Sequence, residues 1–71
     1  MLYEGQFKNH QWNGYGRAIF DDGRYHVGFF KNDRRNGPGL GMRLNKKNGS
    51  DKKWIIEEGI WENDVLKDIK R

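Results

Sequence analysis

The sequence repeats itself, and this repetition constrains the fold more than any other feature. A segment that begins near Tyr3 returns 23 residues later. The identical positions are Gly5/Gly28, Phe7/Phe30, Lys8/Lys31, Asn9/Asn32, Asn13/Asn36, Gly14/Gly37 and Gly16/Gly39. A third copy follows the second after 31 residues, with Gly59, Trp61 and Asn63 in the corresponding places. Such a chain folds as an array of similar units that pack on their neighbours.

Alternation of residue types within each copy predicts β-strands. From residue 2 to residue 8, aromatic residues and glycine alternate with largely polar residues, which is the two-residue period of a strand with one exposed face. Similar stretches follow, and no segment shows a sustained helical period. The predicted strands are residues 2–8, 15–20, 25–31, 38–44 and 54–62.

The connections between these strands predict antiparallel hairpins. Residues 9–14 and 32–37 are predicted as loops. Asp22-Gly23 predicts a two-residue type I′ turn, because both central positions of that turn need positive φ. Pro38 lacks an amide donor and is therefore placed at the first residue of its strand. Residues 45–53 account for the eight additional residues before the third copy and predict a long polar hairpin tip.

These features predict an all-β fold, a single-layer antiparallel β-hairpin meander. After the last strand, residues 64–71 could form a short helical turn on Val65, Leu66 and Ile69, but a frayed end is the more common outcome. The sequence offers no second layer. One face of the sheet therefore needs cover from curvature, from rings that lie over glycines, or from another chain.

Composition narrows the function classes. The 71 residues are enough for one small domain, include no Cys, and carry a formal net charge of +4. His10 and His26 have no ligand spacing around them, so we expect no metal and no cofactor. No apolar stretch approaches the roughly 20 residues that span a bilayer, and no signal peptide begins the sequence. We expect a soluble or peripheral protein, intracellular and cytoplasmic.

The repeated pattern resembles the MORN (membrane occupation and recognition nexus) repeat. The residues that carry the resemblance are Tyr3-Glu4-Gly5-Gln6-Phe7-Lys8-Asn9, Gly14-Tyr15-Gly16 and Asp22-Gly23. The array is predicted over residues 2–63, as about two and a half repeats near 3–24, 26–44 and 58–63, with a C-terminal tail at 64–71. The second copy departs from the family pattern at His26 and Val27, and the third lacks the Gly-x-Gly half.

The resemblance implies a non-enzymatic structural module that docks into a larger assembly through its aromatic face and loops. Members of the family work in cytoskeletal, ciliary or membrane-apposed complexes, so a protein partner is expected. The residues themselves also give no reason to expect catalysis. No plausible nucleophile lies beside a base, and no two carboxylates occupy adjacent positions that face each other.

Aromatic residues in strand register are the candidate partner-binding set: Tyr3, Phe7, Trp12, Tyr15, His26, Phe30 and Trp61. Two interpretations stay open. The rings either pack over neighbouring glycines to replace a missing layer, or leave an apolar groove that accepts a helix or strand of a partner. Trp12 lies in a predicted loop, where it either anchors an interface or folds back onto the sheet.

Basic pairs support an alternative function, which is peripheral binding to anionic, phosphoinositide-type membrane surfaces or contact with an acidic partner. The candidate residues are Arg34, Arg35, Lys46, Lys47, Lys52 and Lys53. Each such residue contributes about 1 kcal/mol near an anionic surface, so the binding is expected to be weak and salt-sensitive. Simple solvation of the surface explains the same pairs. Nucleic acid is an unlikely partner, because no RNA-binding signature is present.

Overall fold

The chain forms one open antiparallel sheet. The computed structural model describes the backbone of residues 1–47 and 51–69, and the side chains of these residues except 46, 47, 51 and 52. The strands are β1 (Leu2–Lys8), β2 (Gln11–Ile19), β3 (Tyr25–Lys31), β4 (Arg34–Lys47), β5 (Asp51–Glu62) and β6 (Val65–Ile69). They pair in chain order, and the molecule is 14 Å thick along its shortest axis. The predicted single-layer meander of hairpins is therefore confirmed.

The two predicted loops are tight turns. Strand β2 begins at Gln11, directly after the pair Asn9 and His10, whose φ angles are 52° and 64°. Asn32 and Asp33 make the equivalent turn with φ of 51° and 67°. Two left-handed residues in succession are the signature of a type I′ hairpin, and asparagine and aspartate tolerate that conformation. The prediction of loops at 9–14 and 32–37 was wrong because these turns contain no glycine.

The turn between β2 and β3 also differs from the prediction. It has three residues, Asp21 to Gly23, and is closed by hydrogen bonds from the Phe20 amide to the Arg24 carbonyl (2.8 Å) and from the Gly23 amide to the Phe20 carbonyl (2.9 Å). Only Gly23, with φ of 90°, is left-handed in this turn. A three-residue hairpin loop needs one left-handed residue, so glycine is required once and Asp22 is not.

Strands β4 and β5 are longer than predicted. They pair continuously from Gly37 opposite Trp61 to Lys47 opposite Asp51. Residues 45–47 and 51–53, predicted as a hairpin tip, therefore lie in paired strands, and residues 48–50 lie outside the described chain. Pro38 is inside β4 rather than at its start. The β3–β4 register is interrupted between Gly28 and Phe30, next to this proline, and such interruptions are where a strand tolerates a missing amide donor.

A sixth strand occupies the predicted tail. Val65 to Ile69 pairs with β5 from Glu62 opposite Val65 to Gly59 opposite Ile69. The turn that leads into it is Asn63 and Asp64, with φ of 48° and 70°. The prediction of a helical turn or a frayed end was wrong for residues 65–69, because main-chain pairing does not need the glycines that the third copy lacks. Residues 70 and 71 of the predicted tail lie outside the described chain.

Five glycines form one row across the sheet, in register on successive strands: Gly5, Gly16, Gly28, Gly39 and Gly59. A Cβ at Gly16 would lie 2.7 Å from Cζ of Tyr3, and one at Gly39 would lie 2.5 Å from Nε2 of His26. Gly16 and Gly39 are therefore the floor on which the rings of Tyr3 and His26 rest, and side chains there would displace these rings.

An aspartate in each later turn fastens its unit to the preceding one. The Trp12 amide donates to the Asp33 carboxylate (2.7 Å), and the Asp33 amide donates to the Trp12 carbonyl (3.1 Å). One unit further, the Arg35 amide donates to the Asp64 carboxylate (2.8 Å), and the Asp64 amide donates to the Arg35 carbonyl (3.0 Å). These reciprocal bonds, which we call the aspartate clamps, fix the spacing between units.

Candidate functional site

One face of the sheet, here called the ring face, carries a continuous series of aromatic contacts. Its members are Tyr3, Phe7, Trp12, Phe20, His26, Phe30 and Trp61. Tyr3 meets Phe7 edge to face at 5.1 Å and Phe30 at 5.2 Å between ring centroids. Edge-to-face pairs at this separation are favourable beyond their buried area. The structure thus brings together six of the seven predicted aromatic residues.

The same arrangement occurs twice. In the second unit His26 replaces Tyr3 and meets Phe30 at 5.3 Å and Trp61 at 4.9 Å, again edge to face. The indole nitrogen of Trp61 donates to the Gly39 carbonyl at 3.2 Å. Tyr3 and His26 thus each rest on a glycine of their own unit, and each is covered by the ring of the next unit that is equivalent to Phe7, which is Phe30 for Tyr3 and Trp61 for His26.

The ring face is largely a core. His26 is 0% exposed, Phe30 is 3% exposed and Trp61 is 4% exposed. Phe7, at the outer edge, is 59% exposed. Their role in partner binding stays a prediction, but the three buried rings have no side-chain surface to offer a partner. The interpretation in which rings cover glycines accounts for their positions.

Trp12 folds back onto the ring face instead of lying in a loop. It pairs with Phe7 across the β1–β2 hairpin and stacks on Tyr3, with ring centroids 4.5 Å apart and planes 8° from parallel. In the second unit Arg35 takes this place. Its guanidinium lies 4.5 Å from the Trp61 ring and its Nε is 3.2 Å from the Asp64 carboxylate. Only 13% of the Arg35 side chain is exposed, and its guanidinium is engaged in these contacts within the fold.

His26 is the most unusual member of the ring face. Neither Nδ1 nor Nε2 has a hydrogen-bond partner in the described chain, and both atoms are buried. Burial lowers the pKa of His26 to about 4, the positive charge of Arg35 acts in the same direction, and Asp64 opposes both. His26 is therefore neutral near pH 7. By contrast, the hydroxyl of Tyr3 donates to the Gln6 carbonyl at 2.8 Å.

The opposite side of the sheet, here called the groove face, exposes apolar side chains in cross-strand rows. One row begins with the pair Tyr15 and Phe29 and, beyond the interruption in the β3–β4 register, continues with Pro38, Ile60 and Asp68. The next row is Glu4, Arg17, Val27, Leu40 and Glu58. Tyr15 is 54% exposed, Phe29 is 43% exposed and Ile60 is 45% exposed. Apolar side chains that lie together and face water are typical of interaction surfaces.

A groove of about 540 Å³ runs across this face from β2 to β6. The lining side chains are Tyr15, Val27, Phe29, Pro38, Leu40, Glu58, Ile60, Asp68 and Ile69, beside Gly28, Gly39 and Gly59. Tyr15 meets Phe29 edge to face at 5.6 Å. The sequence prediction included Tyr15 but missed the rest. The available signal was the second phase of β3, where Val27 and Phe29 alternate with His26 and Phe30.

Three of the six predicted basic residues, Arg34, Arg35 and Lys53, have described side chains, and the role of the set stays a prediction. Arg34 and Lys53 are exposed, whereas Arg35 is held by Asp64. The side chains of Lys46, Lys47 and Lys52 lie outside the described part of the structure. Arg17, which was not among the predicted residues, pairs with Glu4 through a hydrogen bond of 2.8 Å on the groove face.

Two kinds of feature are absent from residues 1–47 and 51–69. No group of three or more His, Asp or Glu side chains among them is arranged to hold a metal ion. A helix long and apolar enough to cross a bilayer is likewise absent from these ranges.

Comparison with protein families identifies the repeated unit. The family model for the MORN repeat matches residues 3–23 and 26–40, which together make up slightly more than half of the chain. Comparisons with curated proteins and with solved structures gave no match. The matched residues cover the β1–β2 hairpin and the part of the second hairpin that forms the floor of the groove.

Proposed function

The chain belongs to the MORN repeat family, and from this premise we propose that it is a non-enzymatic protein-interaction module that binds its partner on the groove face. MORN repeats are in general protein- or membrane-interaction modules. Docking into a larger assembly, a cytoplasmic location and a cytoskeletal or ciliary setting stay predictions of the sequence. The proposal differs from the sequence prediction in the face that it assigns to the partner.

The contrast in exposure between the two faces carries this proposal. The ring face buries much of its own apolar surface, because neighbouring rings cover Phe30 and Trp61. The groove face has no covering layer in the described chain, and Tyr15, Phe29 and Ile60 remain between 43% and 54% exposed. Sheets are normally buried on at least one side and gain stability when a partner covers apolar area.

Site-directed photo-crosslinking in native cell extract tests the choice of face. A benzophenone amino acid placed at Phe29 would lie in the groove, and the same group placed at Phe7 would lie at the exposed edge of the ring face. Both positions are exposed aromatics, at 43% and 59%, so the two substitutions are matched. We expect a discrete protein adduct from position 29 alone. An adduct from position 7 with none from position 29 would overturn the proposal.

Membrane binding is a second candidate function, and one observation favours it. Strands β4 and β5 continue past Tyr25, the first residue of β3, as a two-stranded ribbon, on which Trp54 is 55% exposed. Ile56, opposite Met42 at the base of this ribbon, is 62% exposed. Tryptophan prefers the membrane interface, and Lys46, Lys47, Lys52 and Lys53 belong to the same ribbon by sequence.

Vesicle sedimentation tests this second candidate. We expect binding to vesicles with anionic lipid that falls with added salt and with Trp54→Ser. The matched control is Tyr15→Ser, which removes an aromatic of similar exposure from the groove. Binding that is indifferent to anionic lipid content would exclude the ribbon as a membrane site.

A further inference from the structure

The groove combines an apolar floor with acidic groups at one end. Glu58 and Asp68 are the charged residues among its lining side chains, and both lie toward the β5–β6 end. Asp68 is directly opposite Ile60, which is opposite Pro38, so a carboxylate ends the apolar row. A ligand that follows the row passes from aromatic contact at Tyr15 to negative charge at Asp68.

This charge pattern runs against the composition of the chain. The protein has 14 Lys and Arg residues against 10 Asp and Glu residues, yet none of the described residues that line the groove is basic. The nearest arginine on this face, Arg17, lines the adjacent depression and is paired with Glu4. The groove carboxylates repel acidic partners and anionic lipid, whereas Lys and Arg side chains of a partner complement them.

The apolar floor also restricts the backbone of a ligand. Val27, Leu40 and Ile60 offer no side-chain hydrogen-bonding groups, so an extended peptide laid over them would leave main-chain amides and carbonyls without partners. An α-helix satisfies its backbone internally and presents only side chains. Tyr15 and Asp68 stand on strands four positions apart, which at about 4.8 Å per strand is roughly 19 Å, or about 13 helical residues.

We propose that the groove binds a cationic amphipathic helix of a partner protein, with apolar side chains on Tyr15, Phe29 and Ile60 and a Lys or Arg against Asp68. This inference rests on the proposed function and adds the chemistry of the occupant. The partner segment is about four turns long and carries its basic residues at the end that lies over β6.

Two designed helical peptides of about 16 residues test the inference, since that length spans the groove. Both have the same leucine and phenylalanine stripe; one carries lysine beside the stripe and the other carries glutamate. Binding to the full chain is followed by NMR of methyl groups. Val27, Leu40 and Ile60 report on the groove, and Ala18, which is 0% exposed, reports on the ring face.

We expect the lysine peptide to shift the groove methyls and to bind roughly tenfold more tightly than the glutamate peptide at low salt. In the folded variant Asp68→Asn, this preference should disappear while affinity for the glutamate peptide is kept or improved. Ile60→Ser should weaken both peptides, because it removes the apolar contact.

Three results would overturn the inference. Equal binding of both peptides would remove the charge preference and leave docking on the groove face intact. Groove methyls that respond to neither peptide would refute a helical occupant, and the crosslink from position 29 would then decide separately whether the groove face binds a protein. Shifts that depend on protein concentration alone would identify a second copy of this chain as the occupant.

Discussion

Replacement of His26 by tyrosine should stabilise this protein, because the first unit already shows how tyrosine fits. Tyr3 contacts Phe7 and Phe30 at 5.1 and 5.2 Å, and His26 contacts Phe30 and Trp61 at 5.3 and 4.9 Å. The Tyr3 hydroxyl donates to the Gln6 carbonyl. By the offset of 23 residues, the carbonyl of Phe29 would accept from a tyrosine at position 26.

The magnitude follows from two changes. The substitution removes two buried ring nitrogens that have no partner, and an unsatisfied buried polar group costs about 1–3 kcal/mol. It also adds a hydrogen bond, which contributes about 0.5–1.5 kcal/mol. A larger ring offsets part of this gain, so we expect the free energy of unfolding to rise by about 2 kcal/mol near pH 7. For a domain of this size the melting temperature would rise by roughly 8–16 °C.

The difference should grow in acid. Burial lowers the pKa of His26 from 6.5 to about 4 in the folded state. Between these values the unfolded chain binds more protons than the folded chain, so the wild type loses stability as pH falls through this window. At about 1.4 kcal/mol per pKa unit, the loss reaches about 3 kcal/mol by pH 4. The tyrosine variant lacks this contribution, and its advantage should widen accordingly.

Urea denaturation followed by circular dichroism, at about pH 7 and about pH 4.5, measures both effects. The matched control is His10→Asn, which removes the other histidine from an exposed turn and keeps a residue that accepts positive φ. This variant should keep the loss of stability in acid that we attribute to His26. A His26→Tyr variant that is less stable than the wild type, or an advantage that is equal at both pH values, would refute the account of His26 as a buried neutral group.

The glycine row and the aspartate clamps give two further predictions. Gly39→Ala should lower the free energy of unfolding by about 1–3 kcal/mol, because its Cβ would lie 2.5 Å from Nε2 of His26. In the same thermal denaturation series Gly41→Ala should cost less, because the nearest contact of its Cβ is 3.3 Å, to Trp61. Equal losses would contradict the role of Gly39 as the floor under the His26 ring. Asp64→Ala should lower the free energy of unfolding by about 1–3 kcal/mol in urea denaturation, because the Arg35 amide and Nε lose the carboxylate that accepts from them, while Nη2 keeps its bond to the Asp64 carbonyl. Asp64→Asn keeps an acceptor oxygen and should cost less. If both substitutions cost the same, the bond from the Arg35 amide is not the important part of the clamp.

The repeat predicted the parts of the fold that depend on strand phase. A single offset relates Phe7 to Phe30 and Gly16 to Gly39, and a strand has a two-residue period, so the copies had to present rings and glycines on one face. The structure shows these residues on the ring face. Strand ends were less predictable, because turns such as Asn9 and His10 carry no glycine and because β6 is selected by pairing with β5 rather than by its own composition.

The candidate site was less predictable than the fold for a physical reason. The alternation of residues along a strand tells which side chains share a face of the sheet. It does not tell which face buries its apolar side chains within the chain. That outcome depends on rings lying flat over glycines, which buries His26, Phe30 and Trp61 and leaves Phe29 and Ile60 exposed on the other side. Among the seven aromatic residues proposed from the sequence, Tyr15 lines the groove.

Because each ring is covered by the ring of the following unit, no hairpin contains a complete core of its own. Tyr3 needs Phe30, and His26 needs Trp61. The favourable free energy of folding therefore lies mainly in the interfaces between neighbouring units, and an array has one fewer interface than it has units. Loss of the β5–β6 hairpin would uncover His26 and release Arg35 together, so we expect the three hairpins to unfold as a single cooperative unit.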